Sequence, residues 1–143
     1  MTLYEKLLYQ PNAAPSRLAM LSLVFNTAQI IFSLNSIDVN AGGIRVAEII
    51  LLNIVLSFAV FVAATEVKRY SVPWSWGIFG IAVFQALRIA MMPASISGVA
   101  WAGISGLFAA SAASLFAASL WSLAQCRRYR IAQNARKEAS CHS

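Results

Sequence analysis

The sequence has little charge and few of the side chains that bind metals. Only 11% of the 143 residues are charged, and there are one histidine and two cysteines. The single histidine, His142, excludes a haem held between two histidines and makes a buried metal centre a poor interpretation. Cys126 and Cys141 do not have the spacing of a zinc site. We therefore expect no metal and no other cofactor.

Catalytic patterns are also missing from the sequence. No histidine lies near a serine or cysteine that it could activate, no strand leads into a glycine-rich phosphate loop, and no pair of buried carboxylates is expected. An enzyme that acts on its own is therefore a poor interpretation. A membrane subunit of an enzyme complex, contributing to a quinone or lipid pocket, stays open.

Apolar residues, by contrast, are abundant. They make up 59% of the chain, and its mean hydropathy is +0.68, far from the values of soluble proteins. A chain of this length cannot form a core large enough to hide several long apolar helices. We therefore predict an all-α integral membrane protein.

The clearest span runs from Trp101 to Trp121, without a charge or a proline. A helix of that length covers about 30 Å, the thickness of the hydrocarbon layer, and tryptophan favours both membrane interfaces. We predict a compact bundle of four spans, at residues 18–37, 44–64, 74–92 and 101–122, with a short interfacial helix within residues 1–16 and a basic tail at residues 126–143. All four prolines fall outside these spans, at Pro11, Pro15, Pro73 and Pro93.

Positive charges are concentrated on one side of the predicted spans. The other side has only Arg45, with Arg88 buried near it. Because basic segments stay in the cytoplasm, we predict a bacterial-type inner-membrane protein with both termini inside. This arrangement explains the net charge of +6 and leaves no reason to expect a nucleic-acid partner. The basic residues on the cytoplasmic side are Lys6, Arg17, Lys68, Arg69, Arg127, Arg128, Arg130, Arg136 and Lys137.

Polar residues are expected to meet in the outer half of the membrane. On the first span, Ser22, Asn26, Gln29 and Ser33 share one helical face, which should look into protein because polar groups are costly in lipid. The favoured interpretation is an ion pair between Arg88 and a glutamate that fixes helix register. Alternatively, Arg88 contacts an anionic solute or lipid headgroup, or another subunit. The candidate residues are Arg88, Glu48, Arg45, Asn53, Gln85, Gln29 and Asn26.

Small residues indicate close packing between helices. The fourth span repeats a small side chain every four residues. Two glycines in the third span would allow a neighbouring helix to approach closely. The fourth-span ridge packs either inside the bundle or against a partner helix, and both interpretations stay open. The predicted packing residues are Ala102, Gly106, Ala110, Ser114, Ala118, Gly77 and Gly80.

These features predict a small non-catalytic membrane subunit that anchors or stabilises a larger complex through its small-residue helix face. Its partners are membrane lipids and either other subunits or further copies of the chain. Arg127, Arg128 and Arg130 are expected to bind lipid headgroups. The alternative is a small oligomeric transporter or channel for a polar or anionic solute, with Arg88 in its pathway.

Overall fold

The computed structural model describes residues 12–36, 43–92 and 98–141, which form four α-helices with no strand among them. All four helices are long and apolar enough to cross a membrane. The prediction of an all-helical fold with four such helices is therefore confirmed. The predicted interfacial helix falls largely on residues 1–11, which lie outside the described residues. The helices are α1 (Ala13–Ser36), α2 (Gly43–Val67), α3 (Val72–Ala90) and α4 (Gly98–Cys141).

Two of the four prolines lie inside helices, although all four lie outside the predicted spans. Pro15 is the third residue of α1, and Pro73 is the second residue of α3. The backbone N–H groups of a first helical turn have no acceptor within the helix, so a proline there loses no hydrogen bond. The first and third helices consequently begin before the predicted spans.

Neighbouring helices run antiparallel in an up-and-down bundle. Each of α1 and α3 packs against both α2 and α4. The start of α1 meets the end of α2, where the backbone N–H of Asn12 donates to the carbonyl oxygen of Lys68 at 3.1 Å. The start of α3 meets the middle of α4, where the hydroxyl oxygens of Ser75 and Ser122 are 2.6 Å apart. Short connections and facing apolar stripes are typical of this topology.

Small apolar and polar side chains fill the interior of the bundle, and large apolar side chains lie on its surface. Its buried apolar core is made mostly of small side chains such as Ala19, Ala82 and Ala118, and many buried positions hold serine or an amide. Large apolar side chains face outward instead, with Phe58 69% and Trp76 57% exposed. A soluble bundle would hide such side chains from water, whereas lipid accepts them. This distribution agrees with a multi-pass membrane protein.

Helix α4 is much longer than the span predicted within it. It runs for 44 residues, about 66 Å, without a break. The segment predicted as a basic tail therefore continues the fourth span as one helix as far as Cys141.

Candidate functional site

The side chain of Arg88 joins three helices near the end of α3. Its Nη1 atom donates to Oδ1 of Asn53 on α2 at 2.9 Å and to Oε1 of Gln85, one turn earlier on α3, at 3.1 Å. Its guanidinium carbon lies 4.5 Å from the ring centroid of Phe108 on α4. Arginine over an aromatic face gains a cation–π interaction in addition to its hydrogen bonds.

The hydrogen bonds continue from Gln85 into the centre of the bundle. Nε2 of Gln85 donates to Oδ1 of Asn26 at 3.2 Å, and Nδ2 of Asn26 donates to the hydroxyl of Ser57 at 2.9 Å. Nδ2 of Asn53 donates to the carbonyl oxygen of Ile49 at 2.8 Å. We call this set the arginine cluster: Arg88, Gln85, Asn53, Asn26 and Ser57.

Burial makes the arginine cluster a fixed arrangement. Asn53, Gln85 and Asn26 are between 0% and 3% exposed, while Arg88 is half-buried. A buried amide that lacks partners is costly, so the donor and acceptor ends of each amide are determined by its neighbours. The cluster therefore orients the guanidinium of Arg88 from two sides.

The positive charge of Arg88 has only neutral partners among the side chains that the structure describes. Those partners are two amide oxygens and an aromatic face. The side chains of Glu48 and Arg45 lie outside the described residues, so the expected pairing of Arg88 with Glu48 stays a prediction. Dipoles stabilise a buried charge without neutralising it, so an anion that reached the cluster would still be attracted.

Of the polar face on α1, only Asn26 reaches the arginine cluster. All four residues of that face, Ser22, Asn26, Gln29 and Ser33, are buried, as predicted. Gln29 and Ser33 were expected to reach Asn53 and Gln85. Instead, Nε2 of Gln29 donates to the hydroxyl of Ser33 at 2.7 Å on the same helix. The Oε1 atom of Gln29 is buried without a hydrogen-bond partner.

Sequence reasoning did not assign Phe108 to this site. The available signal was the spacing of Ile104, Phe108 and Leu115, which lie four and seven residues apart and are all buried. That spacing indicates the buried face of α4, but it does not say which side chain of another helix lies opposite.

A second set of polar contacts joins α3 to α4 at the other end of the bundle. Besides the contact between the hydroxyls of Ser75 and Ser122, Ser119 donates its hydroxyl to the carbonyl oxygen of Ser75 at 2.9 Å. All three serines are 0% exposed. We call Ser75, Ser119 and Ser122 the serine cluster. Its short side chains allow the two helices to approach closely.

The connection between α2 and α3 packs on the extension of α4. The rings of Tyr70 and Tyr129 stack with centroids 4.5 Å apart and an interplanar angle of 6°. Tyr70 has a φ of 56°, a left-handed conformation that costs roughly 1–2 kcal/mol for a residue with a side chain. Burial, and then the nearby Tyr129 and Cys126, raise the pKa of Tyr70. The stack therefore holds a strained turn against α4.

The predicted small-residue ridge of α4 winds from the outside of the bundle to its inside. Ala102 and Gly106 are exposed, Ala110 is intermediate, and Ser114 and Ala118 are buried. Four residues turn an α-helix by about 400°, so a four-residue repeat drifts by about 40° at each step. One half of the ridge packs inside the bundle, and the other half faces away from it.

The glycines differ in how much space surrounds them. A Cβ atom added to Gly80 or Gly106 would meet nothing within 4 Å, and one added to Gly77 would meet only Trp74 of the same helix, at 3.9 Å. A Cβ atom at Gly103 would lie 2.9 Å from the ring of Phe32 on α1. Among the glycines that the structure describes, the closest approach is therefore at Gly103, which the sequence did not single out.

The basic residues of the α4 extension are exposed, including the predicted headgroup ligands Arg127, Arg128 and Arg130. In the described ranges, no group of three His, Cys, Asp or Glu side chains could hold a metal ion. No protein-family model, curated protein or solved structure matches this chain.

Proposed function

We propose that this chain is an integral subunit of a bacterial-type inner membrane, with both termini in the cytoplasm, and that it anchors or stabilises a larger complex without catalysing a reaction. The observation that carries the proposal is the unbroken helix α4. Its 44 residues cover about twice the hydrocarbon thickness of a bilayer. About 30 Å of it follows Trp121, outside the apolar layer, with Arg127, Arg128 and Arg130 exposed.

Exposed small residues support the docking of a partner helix. Ala102 and Gly106 on α4, and Gly77 and Gly80 on α3, all face away from the bundle. Among the described residues, no side chain of another helix lies within 4 Å of a Cβ atom added to any of these three glycines. Helices in lipid associate mainly through close packing, so such positions favour contact with a helix from another chain.

A comparison of two glycines tests the docking face. Gly106→Leu is expected to leave the bundle folded and to remove the partner, because the added side chain fills space outside the bundle. Gly103→Leu, the matched control, is expected to destabilise the bundle itself by about 1–3 kcal/mol, because it collides with Phe32. Native mass measurement after gentle detergent extraction reports the partner, and thermal unfolding reports the bundle.

Three results would contradict this proposal. If Gly106→Leu retains the partner, the proposed docking face is wrong. If the wild-type chain co-purifies with no other protein, even after cross-linking in membranes, the subunit role is wrong. If reporter tags at the two termini are found on opposite sides of the membrane, the proposed topology is wrong.

Among the side chains that the structure describes, the partners of Arg88 are neutral, which favours a second candidate function, an oligomeric transporter or channel for a polar or anionic solute. In liposomes containing the protein, Arg88→Ala is expected to lower the uptake of a radiolabelled anion by about tenfold or more, because one charge-assisted contact is lost. Arg69→Ala, at the exposed α2–α3 connection, is the control and should not change uptake. Uptake no faster than in empty liposomes would end this alternative.

A further inference from the structure

A cavity lies where α1 begins and α2 ends. Its volume is about 340 Å³. It lies at the end of the bundle that also holds the α2–α3 connection, and Arg88 lies near the opposite end of α3. Two basic side chains, one buried hydroxyl residue and two apolar residues form its wall: Arg17, Lys68, Ser16, Ala13 and Met20.

The backbone around the cavity is held in place. The bond from the N–H of Asn12 to the carbonyl oxygen of Lys68 ties the start of α1 to the end of α2. Behind it, Ala64 and Val67 of α2 are 0% exposed and belong to the same apolar core as Ala19 of α1. The cavity is therefore a built feature between two packed helices, and the long side chains at its rim are exposed.

The two cations at the cavity have no carboxylate partner within the residues that the structure describes. The neighbouring Arg69 differs from them, because its guanidinium lies 3.7 Å from a carboxylate oxygen of Glu66. Arg17 and Lys68 are both exposed and line the same cavity. Like charges that share a cavity repel each other, and an anion placed between them removes that cost.

The start of α1 adds further donors at this position. The first N–H groups of a helix have no intrahelical acceptor and carry a partial positive charge, which favours anions. Ala13, the first residue of α1, lies in the cavity wall, whereas Pro15 in the same turn has no N–H to offer. The two cations and the start of α1 therefore make the site suited to an oxygen-rich anion.

We propose that this cavity binds the phosphodiester group of a phospholipid. Guanidinium and ammonium groups both donate charge-assisted hydrogen bonds to phosphate oxygens. The apolar side chains of Ala13 and Met20 suit the glycerol backbone and first methylene groups of a lipid, and they offer nothing to inorganic phosphate. The site needs the membrane embedding proposed above but not the subunit role, so either can fail without the other.

A charge-matched pair of double variants tests the site. Arg17→Gln/Lys68→Gln removes two charges at the cavity, and Arg136→Gln/Lys137→Gln removes two exposed charges from the α4 extension, away from the predicted headgroup ligands. Native mass spectrometry of the purified protein in detergent, titrated with phosphatidylglycerol, measures lipid binding. We expect the cavity variant to bind about tenfold more weakly or worse, and the control to stay within about twofold of wild type.

Two further measurements distinguish a lipid site from a site for the free anion and from a loss of folding. Inorganic phosphate at equal concentration should not displace phosphatidylglycerol, and the charge-conserving variant Arg17→Lys/Lys68→Arg should bind within about threefold of wild type. The single variant Lys68→Gln, at an exposed position, should weaken binding about fivefold even where the double variant unfolds.

The proposal is overturned by equal losses in the two double variants, by unchanged binding in the cavity variant, or by full displacement with inorganic phosphate. The first result would assign lipid binding to general charge, and the third would assign the cavity to the free anion. Loss of binding in the charge-conserving variant would also overturn it.

Discussion

The two ends of the bundle bury polar groups in different ways. At one end, the arginine cluster uses long side chains whose hydrogen bonds link α1, α2 and α3. At the other end, the serine cluster uses short hydroxyl groups that link only α3 and α4. The first arrangement spans the bundle, and the second permits close contact between two helices.

The two clusters differ because serine can pair its hydrogen-bonding group within its own helix, whereas an amide or a guanidinium cannot pair all of its groups there. A serine in a helix can donate to a carbonyl of its own preceding turn, as Ser22 does to Ala19 at 2.7 Å and Ser114 does to Ser111 at 2.8 Å. An amide or a guanidinium has more donors than one such carbonyl accepts. The arginine cluster therefore depends on several helices at once, whereas the serine cluster can lose one contact at little cost.

The largest expected effect comes from removing an acceptor of Arg88. Asn53→Leu keeps a similar shape but leaves the cation with one amide oxygen, so we expect a loss of about 1.5–3 kcal/mol in the free energy of unfolding. Arg88→Met should lower the free energy of unfolding by less, because it removes the buried charge together with the donors that require acceptors. Detergent-induced unfolding of the purified protein measures both variants.

The double variant Asn53→Leu/Arg88→Met provides the control for this coupling. If the cluster acts as a unit, the double variant should be more stable than Asn53→Leu alone. Simple addition of the two losses would mean that the two side chains are independent, and the contrast between the ends would disappear.

A smaller effect is expected at the serine cluster. Ser122→Ala should cost about 0.6 kcal/mol, the average for a hydrogen bond between membrane helices. Ser75 keeps a partner in this variant, because its hydroxyl also lies 3.0 Å from the carbonyl oxygen of Ser71. The same unfolding measurement applies, and a loss above about 2 kcal/mol would show that this end is as strongly coupled as the other.

The smallest expected effect is a loss of stability at alkaline pH that comes from Tyr70. The pKa of Tyr70 is raised above its usual 10.0, so the folded state holds the phenol proton more tightly than the unfolded state does. The contribution is complete below the unfolded pKa and is lost as pH rises through the higher folded pKa. Tyr70→Phe should remove this decline in unfolding curves measured against pH. An unchanged decline in the variant would assign it to another group.

Helix positions and buried faces were largely predictable from the sequence, because both depend on local periodicity. The spacing of Ser22, Asn26, Gln29 and Ser33 was enough to predict a buried face on α1. The choice of Asn26 over Gln29 as the contact of Gln85 depends on how far α1 is shifted along α3. That shift is set by packing between helices, which no single segment of sequence encodes.

The full length of α4 could have been predicted from the composition of its second half. Residues 123–141 are rich in alanine and arginine, both strong helix formers, and contain no glycine or proline. Charge marks where a helix leaves an apolar layer, but it does not end the helix. The basic segment predicted at residues 126–143 is therefore helical as far as Cys141.

The continuity of α4 also has a mechanical consequence. The same helix carries Phe108, whose ring contacts the guanidinium of Arg88, and Tyr129, whose ring stacks on that of Tyr70. No glycine or proline between them offers a joint where bending could be absorbed. Rotation of the basic extension about the axis of α4 is therefore expected to turn Phe108 as well and to change its contact with Arg88.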